Sequence, residues 1–216
     1  STPCSATASP TSSPCPPSGT PAPPPLDNDI ETPQVHLLGN SLGGGTALRT
    51  ALDYPNRVDR MVLMGPAGGT LPVLCPEPSE GLKTLFGFYA PPGPSIEKMQ
   101  HLIEVMTYAP HDVPPGLLEQ RYAAATAPDA VDYVTRLFKT FGVAGTGVPE
   151  ELWRDVHRIP HKTLLTWGRD DRVLPLDGAF FMPDARLHVF PRCGHWAQLE
   201  HQAELDALTT TFLTGP

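Results

Sequence analysis

The chain has 216 residues, enough for one sizeable domain, with 28 prolines, 19 glycines and a formal net charge of -8. Its 15 Lys and Arg form no run, which argues against nucleic acid or an acidic membrane surface as a partner, and no apolar stretch approaches the length of a membrane span. The four cysteines (Cys4, Cys15, Cys75 and Cys193) have neither metal-ligand spacing nor disulfide-scaffold density, so a reduced, cytoplasmic protein with free thiols is expected.

Residues 1–34 are rich in Pro, Ser and Thr and show no apolar periodicity. Such a stretch buries too little surface to offset its ordering entropy, so disorder with local polyproline II is expected. It lacks the basic and apolar regions of a signal peptide. The chain starts at Ser1 rather than Met and reads as part of a longer product. From Val35 the pattern alternates. Residues 35–39 form a short apolar strand, 43–54 a helix stopped by Pro55, and 60–65 (RMVLMG) a second strand. Between about 74 and 157 the strand signal gives way to successive helical stretches, at 80–89, 96–108, 116–126, 129–141 and 149–156. Ser95 is a plausible N-cap for the second of these. The block is expected to form a lid. Strands resume at 162–167 (KTLLTW) and 186–190 (RLHVF), and a closing helix spans 198–213. Short apolar strands separated by helices predict an α/β fold with a mostly parallel sheet.

Gly39-Asn40-Ser41-Leu42-Gly43 lies where the first strand passes into the first helix, the setting of a nucleophile elbow, G-x-S-x-G. A turn this tight needs glycines beside the serine. It would place the Ser41 hydroxyl at a helix N-terminus, which favours developing negative charge. Asp171 and His195 lie just past the ends of two later strands, and a parallel sheet gathers such ends on one edge. The order Ser, Asp, His matches that of α/β-hydrolases. In such a set His195 takes the Ser41 proton and returns it, while the acid fixes the imidazole. Asp170 competes with Asp171 for the acid role. The other seven histidines show no metal-binding spacing, so neither a metal nor a cofactor is expected.

Several motifs together carry a family resemblance: Gly39-Asn40-Ser41-Leu42-Gly43-Gly44, Leu63-Met64-Gly65-Pro66, Leu118-Glu119-Gln120-Arg121-Tyr122, Gly168-Arg169-Asp170-Asp171-Arg172 and Cys193-Gly194-His195-Trp196-Ala197-Gln198. From about Gln34 to Leu213 the chain resembles the meta-cleavage product hydrolases, α/β-hydrolases of bacterial aromatic and steroid ring degradation. The resemblance implies hydrolysis of a C–C bond in a 2-hydroxy-6-oxo-hexa-2,4-dienoate, through a keto tautomer and an acyl-enzyme. It implies Ser41 as nucleophile, His195 as acid–base group and Asp171 as orienting acid. Arg121, Trp196 and Asn40 would bind substrate, and the Leu42 N–H would be one oxyanion donor. Arg121 offers an anionic substrate a planar cationic fork within a protein of net charge -8.

The sequence departs from that family in three places. Only 40 residues precede Ser41, with no His-Gly-x-Gly-like oxyanion loop, so an N-terminally truncated fold with its first strands missing and an unpaired, adhesive strand at 35–39 is expected. The stretch from Leu176 to Ala185 is about one helical turn short, which would displace Asp171 from His195. Tyr108-Ala109 stands where the family has Tyr-Asp. The expected partner is a small anionic dienoate, with a homo-oligomer left open. A generic serine esterase of the same fold and a non-catalytic truncated remnant are the competing readings.

Overall fold

A computed structural model describes residues 34–68, 78–140, 152–182 and 184–216, all within one compact unit, Thr32–Pro216. The remaining positions lie outside the described residues. They include nearly all of the Pro-rich segment, the start of the expected lid near 74 and the first part of the helix expected at 149–156.

Four parallel strands form one sheet in the order β1 (Val35–Asn40), β2 (Val58–Met64), β3 (Lys162–Gly168) and β4 (Arg186–Phe190). The register places Leu63 between Gly39 and Leu165, and Leu165 beside Leu187. Successive side chains point to opposite faces, so the continuous apolar runs of β2 and β3 require cover on both sides. Helix α1 (Leu42–Asp53) covers one face, where Ala47, Leu48 and Ala51 pack with Met61, Leu63, Leu165 and Trp167. The final helix covers the other, with Phe212 against Val62 and Leu164. The outcome is a helix–sheet–helix sandwich whose interior strands are the two most apolar ones.

Between β2 and β3 lie α2 (Glu80–Phe88), α3 (Ile96–Met106), α4 (Leu117–Ala125) and α5 (Ala130–Thr140). Ser95 caps α3 by accepting the Lys98 N–H at 3.2 Å. Ser79, absent from the sequence-based assignment, caps α2 from Leu82 N at 3.2 Å and donates to Val173 O at 2.6 Å. Met99, Leu102, Ile103 and Met106 of α3 join the same core as α1 and the sheet. The described part of the helix expected at 149–156 is instead two 3₁₀ turns, Leu152–Arg154 and Val156–Arg158. The closing helix is also two, α6 (Ala197–Glu200) and α7 (Gln202–Thr214), broken at His201. Among the described residues no helix is long and apolar enough to cross a membrane.

Candidate active site

Strand β1 turns into α1 at Ser41, whose φ of 53° and ψ of -118° lie far from ordinary conformations for a side-chain-bearing residue. Such a backbone costs about 1–3 kcal/mol and persists only when its surroundings hold it. Here Ser41 N donates to Met64 O at 3.0 Å, while Ser41 O accepts from Gly45 N at 3.0 Å and Ala67 N at 2.8 Å. Gly39 is obligatory, because a Cβ there would stand 2.4 Å from Gly43 O. The expectation for the motif's second glycine needs correction: among the described residues nothing lies within 4 Å of a Cβ placed on Gly43. The close packing falls on Gly44, whose Cβ would meet that of Pro66 at 2.7 Å. Since α1 begins at Leu42, first-turn N–H groups without intrahelical acceptors, and the positive end of the helix dipole, lie beside the Ser41 backbone.

The loops after β3 and β4 are joined by main-chain bonds, Arg169 N to Phe190 O and Asp170 N to Cys193 O, both at 2.9 Å. This brings Asp171 to His195. Asp171 Oδ2 lies 2.7 Å from His195 Nδ1, and Oδ1 accepts from Val173 N at 2.7 Å and Leu174 N at 3.0 Å. Their side chains are 1% and 2% exposed. A carboxylate only accepts, so Nδ1 is the protonated nitrogen and donates to it. Asp170 instead pairs with Arg169 at 3.2 Å, which settles the geometry in favour of the second Asp. The expected displacement of Asp171 by a short connection does not occur. Leu176–Phe181 is a 3₁₀ helix, which advances about 2.0 Å per residue against 1.5 Å in an α-helix, so fewer residues cover the distance.

Ser41 adjoins this pair through Gly65, the residue after its Met64 partner. A Cβ on Gly65 would stand 3.3 Å from Asp171 Oδ2 and 3.5 Å from His195 Nδ1. Asn40 ties the same elements together: its Nδ2 donates to Met64 O at 3.0 Å and to His195 O at 3.2 Å, and its Oδ1 accepts from Gln198 Nε2 at 3.4 Å. The Asn40 amide nitrogen is thus engaged by main-chain carbonyls. Ser41 and His195 are not joined by a hydrogen bond. Among the described residues His195 Nε2 is buried without a partner, so the nitrogen opposite Asp171 is the one open to a proton.

Arg121, exposed on α4, lies over the Trp196 ring with its guanidinium carbon 5.1 Å from the centroid. No carboxylate among the described residues pairs with it. Stacking supports the cation and leaves its N–H edge free for an anion. Cys193 is fully buried, and burial first, then the nearby Glu200 carboxylate, pushes its thiol up to about 12. Glu200 was not singled out from the sequence. Its carboxylate binds main-chain N–H groups on two segments, one of them 91 to 92 residues earlier in the chain, and no local pattern announces such a pairing.

The fold has relatives among known proteins. The family model described as "Alpha/beta hydrolase family" matches residues 18–208. The chain belongs to that family. Among curated α/β-hydrolases, it is 42% identical over 189 residues to the 2-hydroxy-6-oxo-6-phenylhexa-2,4-dienoate hydrolase of Burkholderia cepacia, covering 84% of this chain and 63% of the relative. It is 40% identical to a 2-hydroxy-6-oxononadienedioate/2-hydroxy-6-oxononatrienedioate hydrolase of Comamonas testosteroni, covering the same 84% and 63%. The solved meta-cleavage product hydrolase of Pseudomonas fluorescens superposes with a TM-score of 0.68 at 34% identity, covering 84% of this chain and 65% of that one. The chain therefore spans just under two thirds of the length of these relatives.

Proposed function

We propose that this chain carries the acid–base and nucleophile machinery of a meta-cleavage product hydrolase, cleaving a C–C bond in a 2-hydroxy-6-oxo-hexa-2,4-dienoate-type compound. The observation that carries this reading is the buried Asp171–His195 pair at 2.7 Å, on the sheet edge that also bears the strained Ser41 turn. The similarity to dienoate hydrolases supports the substrate class.

In this reading the substrate is first tautomerised to its keto form. His195 Nε2 takes the Ser41 hydroxyl proton as Oγ adds to the 6-carbonyl, and the Leu42 N–H receives the developing oxyanion. Asp171 holds the imidazole tautomer and stabilises its protonated form. The C5–C6 bond breaks with its electron pair going to the departing dienolate, His195 returns its proton to that fragment to give the 2-hydroxydienoate, and an acyl group is left on Ser41. Water, deprotonated by His195, then releases the carboxylic acid. Arg121, supported by Trp196, binds the carboxylate of the dienoate end, and Asn40 braces the elbow against the His195 loop. Aromatic-derived dienoates fit the names of the relatives; the steroid branch rests only on the weaker likeness of the helical block.

Loss of the coloured dienoate, run beside hydrolysis of a p-nitrophenyl ester, tests the proposal. The Arg121→Ala variant should lower kcat/KM for the dienoate by about 10- to 100-fold, the scale of a charge-assisted contact, and leave the ester rate near that of the parent chain. Ester turnover with no dienoate turnover would favour a generic esterase. Failure of a fluorophosphonate to label Ser41 in folded protein would favour a non-catalytic remnant.

A further inference from the structure

We infer that Glu200 is a positioning residue for His195, holding the loop that carries the imidazole against the end of α3. This rests on the reading of His195 as the acid–base group. Both oxygens of one carboxylate are used. Oε1 accepts from Tyr108 N at 2.6 Å and Ala109 N at 3.0 Å, while Oε2 accepts from Gly194 N at 2.7 Å. Gly194 immediately precedes His195, and His195 N itself donates to Met106 O at 2.8 Å. The two backbone segments are pressed together: a Cβ on Gly194 would stand 2.6 Å from Met106 O and 2.9 Å from Thr107. Such an approach leaves three N–H groups close together, and a single anion satisfies them all. Charge-assisted bonds of this kind are roughly twice as strong as neutral ones.

The contact also explains two features of the chain. Glu200 is the last residue of α6, and its side chain binds the 108–109 and 194 backbone where the closing helix breaks at His201. Ala109 takes part through its main-chain N–H, so the absence of Asp at that position leaves the bond intact. Because Oδ2 of Asp171 fixes one side of the imidazole and the Gly194–His195 backbone fixes its root, a shift of that root moves Nε2 relative to Ser41. An offset of about 1 Å in a reacting group costs about 10²-fold in rate.

The Glu200→Gln variant keeps the volume but offers one accepting oxygen and turns an NH₂ toward a main-chain N–H. Two readouts on the full chain test the inference: turnover per fluorophosphonate-titrated site, and the downfield NMR resonance of the His195 Nδ1 proton. Expected are a kcat about tenfold or more below the parent with KM within about twofold, and a displaced or lost downfield resonance. Glu200→Asp, one methylene short of bridging both segments, is expected to move both readouts in the same direction and serves if the Gln variant does not fold. Glu204→Gln, which removes a nearby carboxylate paired with His188 at 3.1 Å, should leave both readouts unchanged. An unmoved resonance in folded Glu200→Gln overturns the inference, whatever happens to the rate. A displaced resonance in a chain whose parent hydrolyses neither dienoate nor ester upholds the positioning role and removes the hydrolase reading instead.

Discussion

The two halves of the site are built differently. The proposed acid–base half lies where the ends of β3 and β4 meet α3, and Asp171 and His195 are almost wholly buried. The proposed nucleophile half lies at the end of β1, the edge strand of the described sheet, where Val35 is 42% and Leu38 55% exposed. Ser41 is held by three main-chain bonds to Met64, Gly45 and Ala67, in a backbone conformation that is itself unfavourable. Tertiary packing orders one half; a strained local turn docked on one neighbouring strand makes the other. The placement of Ser41 relative to the Asp171–His195 pair therefore depends on how firmly β2 and the Met64–Gly65 corner connect the two.

The largest expected effect sharpens the description of the buried half. Asp171→Asn would place an amide where a carboxylate holds Nδ1–H, favouring the wrong tautomer, and should lower kcat by about 10³- to 10⁴-fold in the dienoate assay. Asp170→Asn, which alters a carboxylate paired with Arg169, should leave kcat within about twofold. Equal effects from the two would break the assignment.

Next in size is the contrast in packing between the strands. Leu63→Ala at a fully buried β2 position should cost about 2–5 kcal/mol in denaturant unfolding. Leu38→Ala on the half-exposed edge should cost less than about 1 kcal/mol. A large loss at Leu38 would show that β1 is covered by something beyond its β2 neighbour.

The smallest effect concerns Cys193. Its thiol is raised in the folded chain to about 12, above the roughly 8.5 of an unfolded thiol. As pH rises past the unfolded value, the unfolded chain releases a proton that the folded chain retains. Its contribution to stability is therefore complete below that pH and declines through the window up to about 12. Chemical unfolding measured from pH 7 to 10 should show a steeper alkaline loss in the parent chain than in Cys193→Ala, and mass spectrometry should find Cys193 unalkylated in folded protein at pH 8.

Much of this was legible in the sequence because it is encoded over a few residues. Strand β4 was assigned at 186–190 and observed there, since RLHVF is bounded by turn residues on both sides. The elbow was legible from Gly39, whose lack of a Cβ is a local requirement. The choice between Asp170 and Asp171 was legible only through the family resemblance, which implies the second Asp; local pattern leaves both open, since the two are adjacent and differ in which one faces a loop 24 residues later. The connection at 176–185 was misjudged because its helix type, and hence its length per residue, is set by what it must span.

By itself, then, the sequence determined the alternation of strands and helices, the parallel α/β class, and which serine and histidine end up at strand ends, because periodicity and turn chemistry act over neighbouring residues. Only the tertiary structure decided that the short 176–185 connection still brings Asp171 to His195, that Arg121 lies over Trp196, and that Glu200 joins Gly194 to Tyr108 and Ala109. Each of these depends on where distant segments meet, and burial makes the partner of a polar group as consequential as its identity.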